Sequence, residues 1–369
     1  MNAAPDNRLH FLDGLRGWGS LVVLMAHVYG EGFPISDQVT AVLSKLVVFN
    51  AGLAVWIFFL VSGFSLAIGF CRTRDSNTLV KVALGRYVRL AVPIFCAAAI
   101  LYLMFALGLV PPAEQRLPTF QNFLPVAPTL WDVARFSFFD TFFAYSHATT
   151  LIGPLWTMPF ELWGSCLVLG SLFVVGRLER RFYVYAVLGV VSFFINPIFS
   201  AFIVGMLLAE VHVSDFWKRN AARMSTPAFL LFLPAFYGAT LLPKAGPNPE
   251  WAYLVVASLL TVSCVFSRPL ATFLSGGLSR FLGKISFPLY LIHGPLFLAY
   301  ANNVYRWVDA PTDVQKALLN LSTVVVSIVC ATLLIPIDRW GITAAKRVGS
   351  LVMGHRGFSV PHPVEQTAK

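Results

Sequence analysis

Charged residues are scarce in this chain. Asp, Glu, Lys and Arg make up 12% of its 369 residues, about half of the ~25% usual in soluble domains. A disordered chain needs far more charge, and a soluble enzyme would not carry 57% hydrophobic residues at a mean hydropathy of +0.73. Cysteine is also sparse. Cys71, Cys96, Cys166, Cys264 and Cys330 lie in or beside apolar runs with no CxxC spacing. That excludes a disulfide framework and a zinc site, and no metal site is expected. Walker A, GxGxxG and HExxH patterns are missing, and GLSRFLGK at 277–284 lacks the spacing of a phosphate loop.

What the chain does have is long uncharged runs, each near the ~20 residues a bilayer requires. Ten candidate spans fall at 14–33, 46–70, 90–110, 151–175, 182–195, 197–211, 227–243, 251–267, 285–304 and 317–337. The fifth and sixth are short and hinge at Asn196-Pro197. The expected fold is all-α, a polytopic membrane bundle of about ten helices. The N-terminus does not read as a cleaved signal, so the first span is expected to be retained. The aromatic stretch 131–147 is broken by Asp132, Arg135 and Asp140. It is expected to lie on the membrane as an interfacial helix.

With both termini placed in the cytoplasm, most of the 27 Lys and Arg fall on the inner side. The exceptions are Lys45, Arg116, Arg135, Lys244, Arg306 and Lys316. This satisfies the positive-inside rule, and the net charge of +10 is then mostly topology. No nucleic-acid partner is implied. Residues 9–338 form the expected transmembrane domain. Residues 339–369 form a cytoplasmic tail, of which 341–369 is expected to be mobile.

Ionisable groups inside spans are costly and mark candidate sites. His27 lies about 16 Å along its helix from Arg16, near the expected midplane. It reads equally as a general base or as a packing histidine. Glu31 is at i+4, on the same face, as a partner for the imidazole or as an interfacial carboxylate. Glu161 follows Pro159, which distorts the helix and frees carbonyls to line a cavity. It reads as a partner of an imidazole, a binder of acceptor hydroxyls or a structural acceptor. His293, with Tyr290 before it, is a further acid/base or substrate contact, or a structural histidine. Arg86 and Arg89 sit at i and i+3 on one helix face, and guanidinium forks suit phosphates. Ordinary inner-face anchoring also explains them, and Arg16, beside Asp13, shares that ambiguity.

Five separated stretches then occur in order: FLDGLRGWGSLVVLMAH, WIFFLVSGFSLA, GRYVRLAVPIF, LWTMPFELWGS and KISFPLYLIHGPLF. Together, over about 9–338, they resemble the membrane-bound acyltransferase-3 family. The fourth departs from the family pattern by having Pro159 within it, and Glu161 is the matching acid. In the fifth, Ser286, Tyr290 and His293 match. The resemblance implies an enzyme that O-acylates glycans or related acceptors, such as lipopolysaccharide, exopolysaccharide, an oligosaccharide or a macrolide. It implies that His27 is the essential intramembrane histidine, and that Arg86 and Arg89 lie near the entrance for a cytoplasmic acyl-CoA donor, with acetyl-CoA expected. The donor is a co-substrate, and no permanently bound cofactor is implied. Expected partners are acyl-CoA, a glycan or lipid-linked saccharide acceptor and membrane lipid, with homo-oligomerisation left open. The expected location is the inner membrane of a bacterium. A proton-coupled transporter or flippase would also use intramembrane histidines and Pro-broken helices, and it is the competing class. A non-catalytic assembly subunit would not justify the cost of His27 and Glu161 in lipid.

Overall fold

Capping side chains set several helix boundaries in the computed structural model, which describes residues 9–33, 35–43, 45–243, 249–308 and 311–356. The first helices are α1 (His10–Glu31), α2 (Asp37–Leu43), α3 (Ala51–Thr73) and α4 (Ser76–Ala106). Asn50 caps α3 by accepting from the Leu53 amide at 2.9 Å, and Arg74 ends it in the left-handed region at φ 54°. Next come α5 (Leu130–Arg135), a π turn at Phe136–Asp140, α6 (Thr141–Phe143), a 3-10 turn at Gly153–Thr157 and α7 (Met158–Val175). Then follow α8 (Arg181–Ile195), α9 (Pro197–Val213), α10 (Asp215–Leu241), α11 (Glu250–Phe266) and α12 (Arg268–Leu274). The expected hinge is present: Asn196 breaks α8 from α9 and caps α9 through the Ile198 amide. The chain ends in α13 (Gly277–Leu296), a π turn at Phe297–Ala301, α14 (Asn302–Trp307), α15 (Asp313–Leu333) and α16 (Ile335–Arg356). Among the described residues there is no strand.

The ten expected segments overlap helices, the last of them running from α15 into α16. Six helical stretches are long and apolar enough to cross a membrane: α3, α4, Gly153–Val175, α10, Gly277–Trp307 and α15. A seventh is counted if α11 and α12, bent by 90°, form one broken span. The helices α8 and α9 are shorter. The 22-residue α1 carries Asp13 and Arg16, which it can afford because α13 and α3 enclose that part of it rather than lipid, and Glu31 in its last turn, where the carboxylate is half exposed.

Glycine sets how closely the central helices approach. Helices α1 and α13 run parallel in one register: Gly14 meets Leu274 and Ser279, Gly17 meets Leu282 and Gly283, and His27 faces His293. A Cβ on Gly17 would lie 2.4 Å from the Gly283 nitrogen, and one on Gly283 would lie 2.6 Å from the Asp13 carbonyl. Trp18 Nε1 ties the pair together by donating to Ser279 Oγ at 3.0 Å. Because the obstructing atoms are backbone, Gly17→Ala must push the helices apart. We expect it to cost about 1–3 kcal/mol, read as a lower midpoint of thermal unfolding in detergent. Gly170→Ala, with nothing within 4 Å, should leave the midpoint unchanged or raise it, because alanine favours helix.

Two sequence expectations are corrected. The stretch 131–147 does not lie flat. Phe138 stacks on Phe95 and Phe142 packs on Tyr87, so α5 and α6 run along α4, antiparallel to it. Arg135 and Asp140 pair with each other at 3.2 Å. That pairing offsets their charges while Phe138, Phe139 and Phe143 face outward. The segment therefore descends beside α4 to the level of Tyr87, and α7 begins part-way down the bundle. The second correction concerns the tail. The expected boundary at 338/339 falls inside α16, and residues 341–356 form no mobile tail. Residues 341–349 pack along α4, with Gly341 on Pro93, Gly349 on the Lys81 carbonyl and Gly85 of α4 on Ala345. Residues 357–369 lie outside the described residues. The 31-residue α4 is about 46 Å long against a ~30 Å hydrocarbon core, so α16 covers a part of it that extends past the lipid.

At one end of α3, Glu210 of α9 is almost fully buried. It accepts from Arg74 Nη1 and Nη2 at 2.7 and 2.5 Å and from Arg181 Nε at 3.2 Å. Arg74 also donates to the Gly176 carbonyl at 3.1 Å. This cluster ties α3, α8 and α9 to the end of α7.

Candidate active site

The i, i+3 spacing of Arg86 and Arg89 places both on one face of α4, and that face borders a cavity of about 240 Å³. Arg86 stands about 15 Å along α4 from Ser76. Four cations line the cavity (Arg16, Arg86, Arg89 and Lys284), with three carboxylates (Asp13, Glu161 and Asp338). Arg86 Nη2 pairs with Glu161 Oε1. Its Nε donates to Ser165 Oγ at 2.8 Å, and Ser165 in turn donates to the Glu161 carbonyl at 2.6 Å. The same Glu161 oxygen accepts from Ser62 Oγ at 2.7 Å, and Arg16 Nη2 reaches Ser62 Oγ at 3.4 Å. Arg89 Nη2 pairs with Asp338 at 2.7 Å, and its guanidinium lies 5.2 Å from the Phe287 ring centre. Arginine forks already held by carboxylates are pre-organised donors, and a phosphate can take further N–H groups from them.

Tyr290 forms one wall of the cavity. Its hydroxyl donates to the Pro154 carbonyl and takes a hydrogen bond from Thr157 Oγ1 at 2.6 Å. One turn on, the His293 ring centre lies 6.1 Å from that of Tyr290 and 5.4 Å from that of His27. His293 is buried. Its Nδ1–H donates to the Leu289 carbonyl at 2.9 Å, and its Nε2 has no partner. His27 Nδ1 lies 2.7 Å from Glu31 Oε1. With the carboxylate accepting from Nδ1–H, the lone pair stays on Nε2, the tautomer a general base needs.

The candidate residues thus fall on two levels, and α1 and α13 carry members of both. Arg16, Arg86, Arg89, Glu161 and Tyr290 border the cavity. His27, Glu31 and His293 form a second group beyond Tyr290. His27 is about 26 Å along α1 from His10, in the last turns of the helix rather than near its middle. The carboxylate on His27 is Glu31, and Glu161 serves Arg86 instead. The loop that follows α4 closes over this level. Thr119 Oγ1 donates to the Glu31 carbonyl at 2.7 Å. The buried Arg116 organises that loop through the carbonyls of Pro111 and Phe123 at 2.8 and 2.7 Å.

The acyltransferase domain of the acyltransferase-3 family matches residues 9–337 of the chain, nearly all of the bundle described above. The chain belongs to the acyltransferase-3 family. No curated protein and no solved structure matches it. With its apolar helices, it is a multi-pass membrane acyltransferase.

Several residues of the acyltransferase's cavity are not among those the sequence singles out. Ser62 bridges Arg16 and Glu161. Its signal is a hydroxyl inside the apolar run WIFFLVSGFSLA. Asp338 holds Arg89, and it is visible only as a carboxylate directly after the last apolar run. Phe287 and Lys284 give no signal in one sequence, because an aromatic and an inner-face lysine are ordinary there.

Proposed function

We propose that this acyltransferase moves an acyl group, acetyl in the simplest case, from cytoplasmic acyl-CoA to a hydroxyl of a cell-surface or exported glycan. The setting is the inner membrane of a bacterium, with ten spans and both ends of the chain cytoplasmic. The observation that supports this reading is the cavity with Arg16, Arg86, Arg89 and Lys284 around it, of which Arg16 stands on α1, the helix that carries the His27–Glu31 pair. The phosphates of coenzyme A would take the guanidinium forks of Arg86 and Arg89, with Arg16 as a third contact. The flexible pantetheine arm would carry the thioester past Tyr290 toward the histidines.

In this mechanism His27 Nε2 takes the proton of the acceptor hydroxyl as its oxygen bonds to the thioester carbonyl carbon. The C–S bond then breaks, and the proton passes to the departing thiolate. Glu31 orients the ring and stabilises the imidazolium. Glu161 contributes by holding Arg86.

The test uses membrane vesicles and acetyl-CoA labelled in the acyl group, following label into the cell-envelope glycan fraction. Label in that fraction is the expected result. Vesicles that transfer none and consume no acyl-CoA would refute the reading in favour of the competing proton-coupled transporter. In the same assay Arg86→Ala should raise the KM for acyl-CoA about tenfold, the effect of losing a charge-assisted contact. A fall in kcat at unchanged KM would take Arg86 out of donor binding.

A further inference from the structure

The family match ends at residue 337, immediately before Asp338, yet Asp338 and Ile342 of α16 both border the cavity. Asp338 reaches Arg89 Nη2 at 2.7 Å from a half-buried position. Phe287 covers one face of the same guanidinium. What these two contacts leave is Arg89 Nη1, a buried nitrogen with no hydrogen-bond partner among the described residues, beside an Asp338 Oδ1 that pairs with Nη2 by charge and accepts no hydrogen bond. A buried, unpaired guanidinium N–H is costly, and here it belongs to a residue on the cavity wall.

Arg86, one turn away on the same face, is held in a similar way by Glu161 and Ser165. Two guanidinium groups at i and i+3 repel each other. Without a carboxylate on each, they would swing apart toward the ends of α4. The two carboxylates come from different places: Glu161 from the start of α7, and Asp338 from the first turn of α16, one residue past the end of the family match. The helix α16 is fixed against α4 by the close contacts at Gly341, Gly85 and Gly349, so the Asp338 carboxylate is presented from a rigid support.

We infer that Asp338 is a positioning residue for the donor site: its ion pair holds the Arg89 guanidinium at the cavity wall, where a small turn of the side chain brings the unpaired Nη1 to a phosphate oxygen of coenzyme A. In this way α16 becomes part of the binding machinery. The inference rests on the acyl-CoA reading above and deepens it. It assigns Asp338 no contact with the reacting atoms.

The test measures binding of free coenzyme A, and of pantetheine, which lacks the phosphates, to the full chain purified in detergent. The wild type should bind coenzyme A. The near-isosteric Asp338→Asn should bind it roughly tenfold more weakly, the cost of re-ordering one long side chain. Asp338→Glu should recover most of that loss, and pantetheine affinity should not change. Phe287→Leu removes the second restraint and should weaken coenzyme A binding several-fold, which keeps the idea testable if Asp338→Asn does not fold. Asp338→Asn binding as tightly as wild type, or more tightly, would overturn the inference and make Asp338 a competitor of the ligand. The donor reading would survive that result. A wild-type protein that binds no coenzyme A would remove both.

Discussion

His27→Ala is expected to lower acyl transfer by roughly 10²–10⁴-fold, the usual contribution of a positioned general base, with little change in KM for the donor. The expected split between kcat and KM follows from position. His27 is not on the cavity wall, and its contacts are to Glu31 and the His293 ring. Losing it removes the base without touching the cations that would hold coenzyme A. Glu31→Gln should give a smaller loss. The amide still packs against the ring, but it neither fixes the tautomer as strongly nor stabilises the imidazolium. Steady-state kinetics on vesicles with labelled acetyl-CoA check both variants. A His27→Ala variant that folds and transfers at the wild-type rate would leave the histidine pair a packing feature. A rise in KM alone would move His27 into donor binding.

The second large effect is on folding. Removing the Glu210 carboxylate should cost about 3–5 kcal/mol, the range for breaking a buried ion pair by deleting one partner. It should show as loss of folded, monodisperse protein and a sharply lower unfolding midpoint for Glu210→Ala. Two arginines depend on this one side chain, and both, each only partly exposed, would lose their carboxylate at once. Replacing Arg74, Arg181 and Glu210 together by apolar residues of similar volume should recover much of the loss, because the desolvation cost disappears with the charges. If Glu210→Ala unfolds at the wild-type temperature, the cluster contributes little to stability.

The sequence was most informative where the physics is local. Helical runs were visible because apolar stretches of about 20 residues have few alternatives. The His27–Glu31 pair was visible because i, i+4 spacing brings side chains together whatever the rest of the fold does. Arg86 and Arg89 share a wall for the same reason. What could not be read is how distant segments meet. Glu161 was a candidate partner for an imidazole, but its carboxylate is taken up by Arg86 and Ser62, from two other helices. Asp338 gave no sign that it returns to α4. Glu210 gives no signal inside the apolar run 197–211, since neither arginine that holds it is near in sequence. The stretch 131–147 misled because its charges suggested a wet surface. Arg135 and Asp140 instead pair with each other, and the aromatic side chains settle along α4. Helix α16 was misread as a tail because its polar composition does not show that its glycines fit against α4.

The glycine seam between α1 and α13 has a metric consequence. Both helices carry a member of the lower level, Arg16 and Lys284, and both carry a member of the upper one, His27 and His293. They run in the same direction, so the seam acts as a ruler: it fixes the axial gap from Arg16, at the cavity, to His27 at about 16 Å, with Tyr290 of the cavity wall standing between these levels one turn before His293. Lateral loosening of the surrounding bundle does not alter that gap. The donor would therefore be measured by length, with its anionic end at one graduation and its reactive carbon at the other. A carrier with a shorter arm would hold its thioester below the histidines even when its phosphates were fully seated.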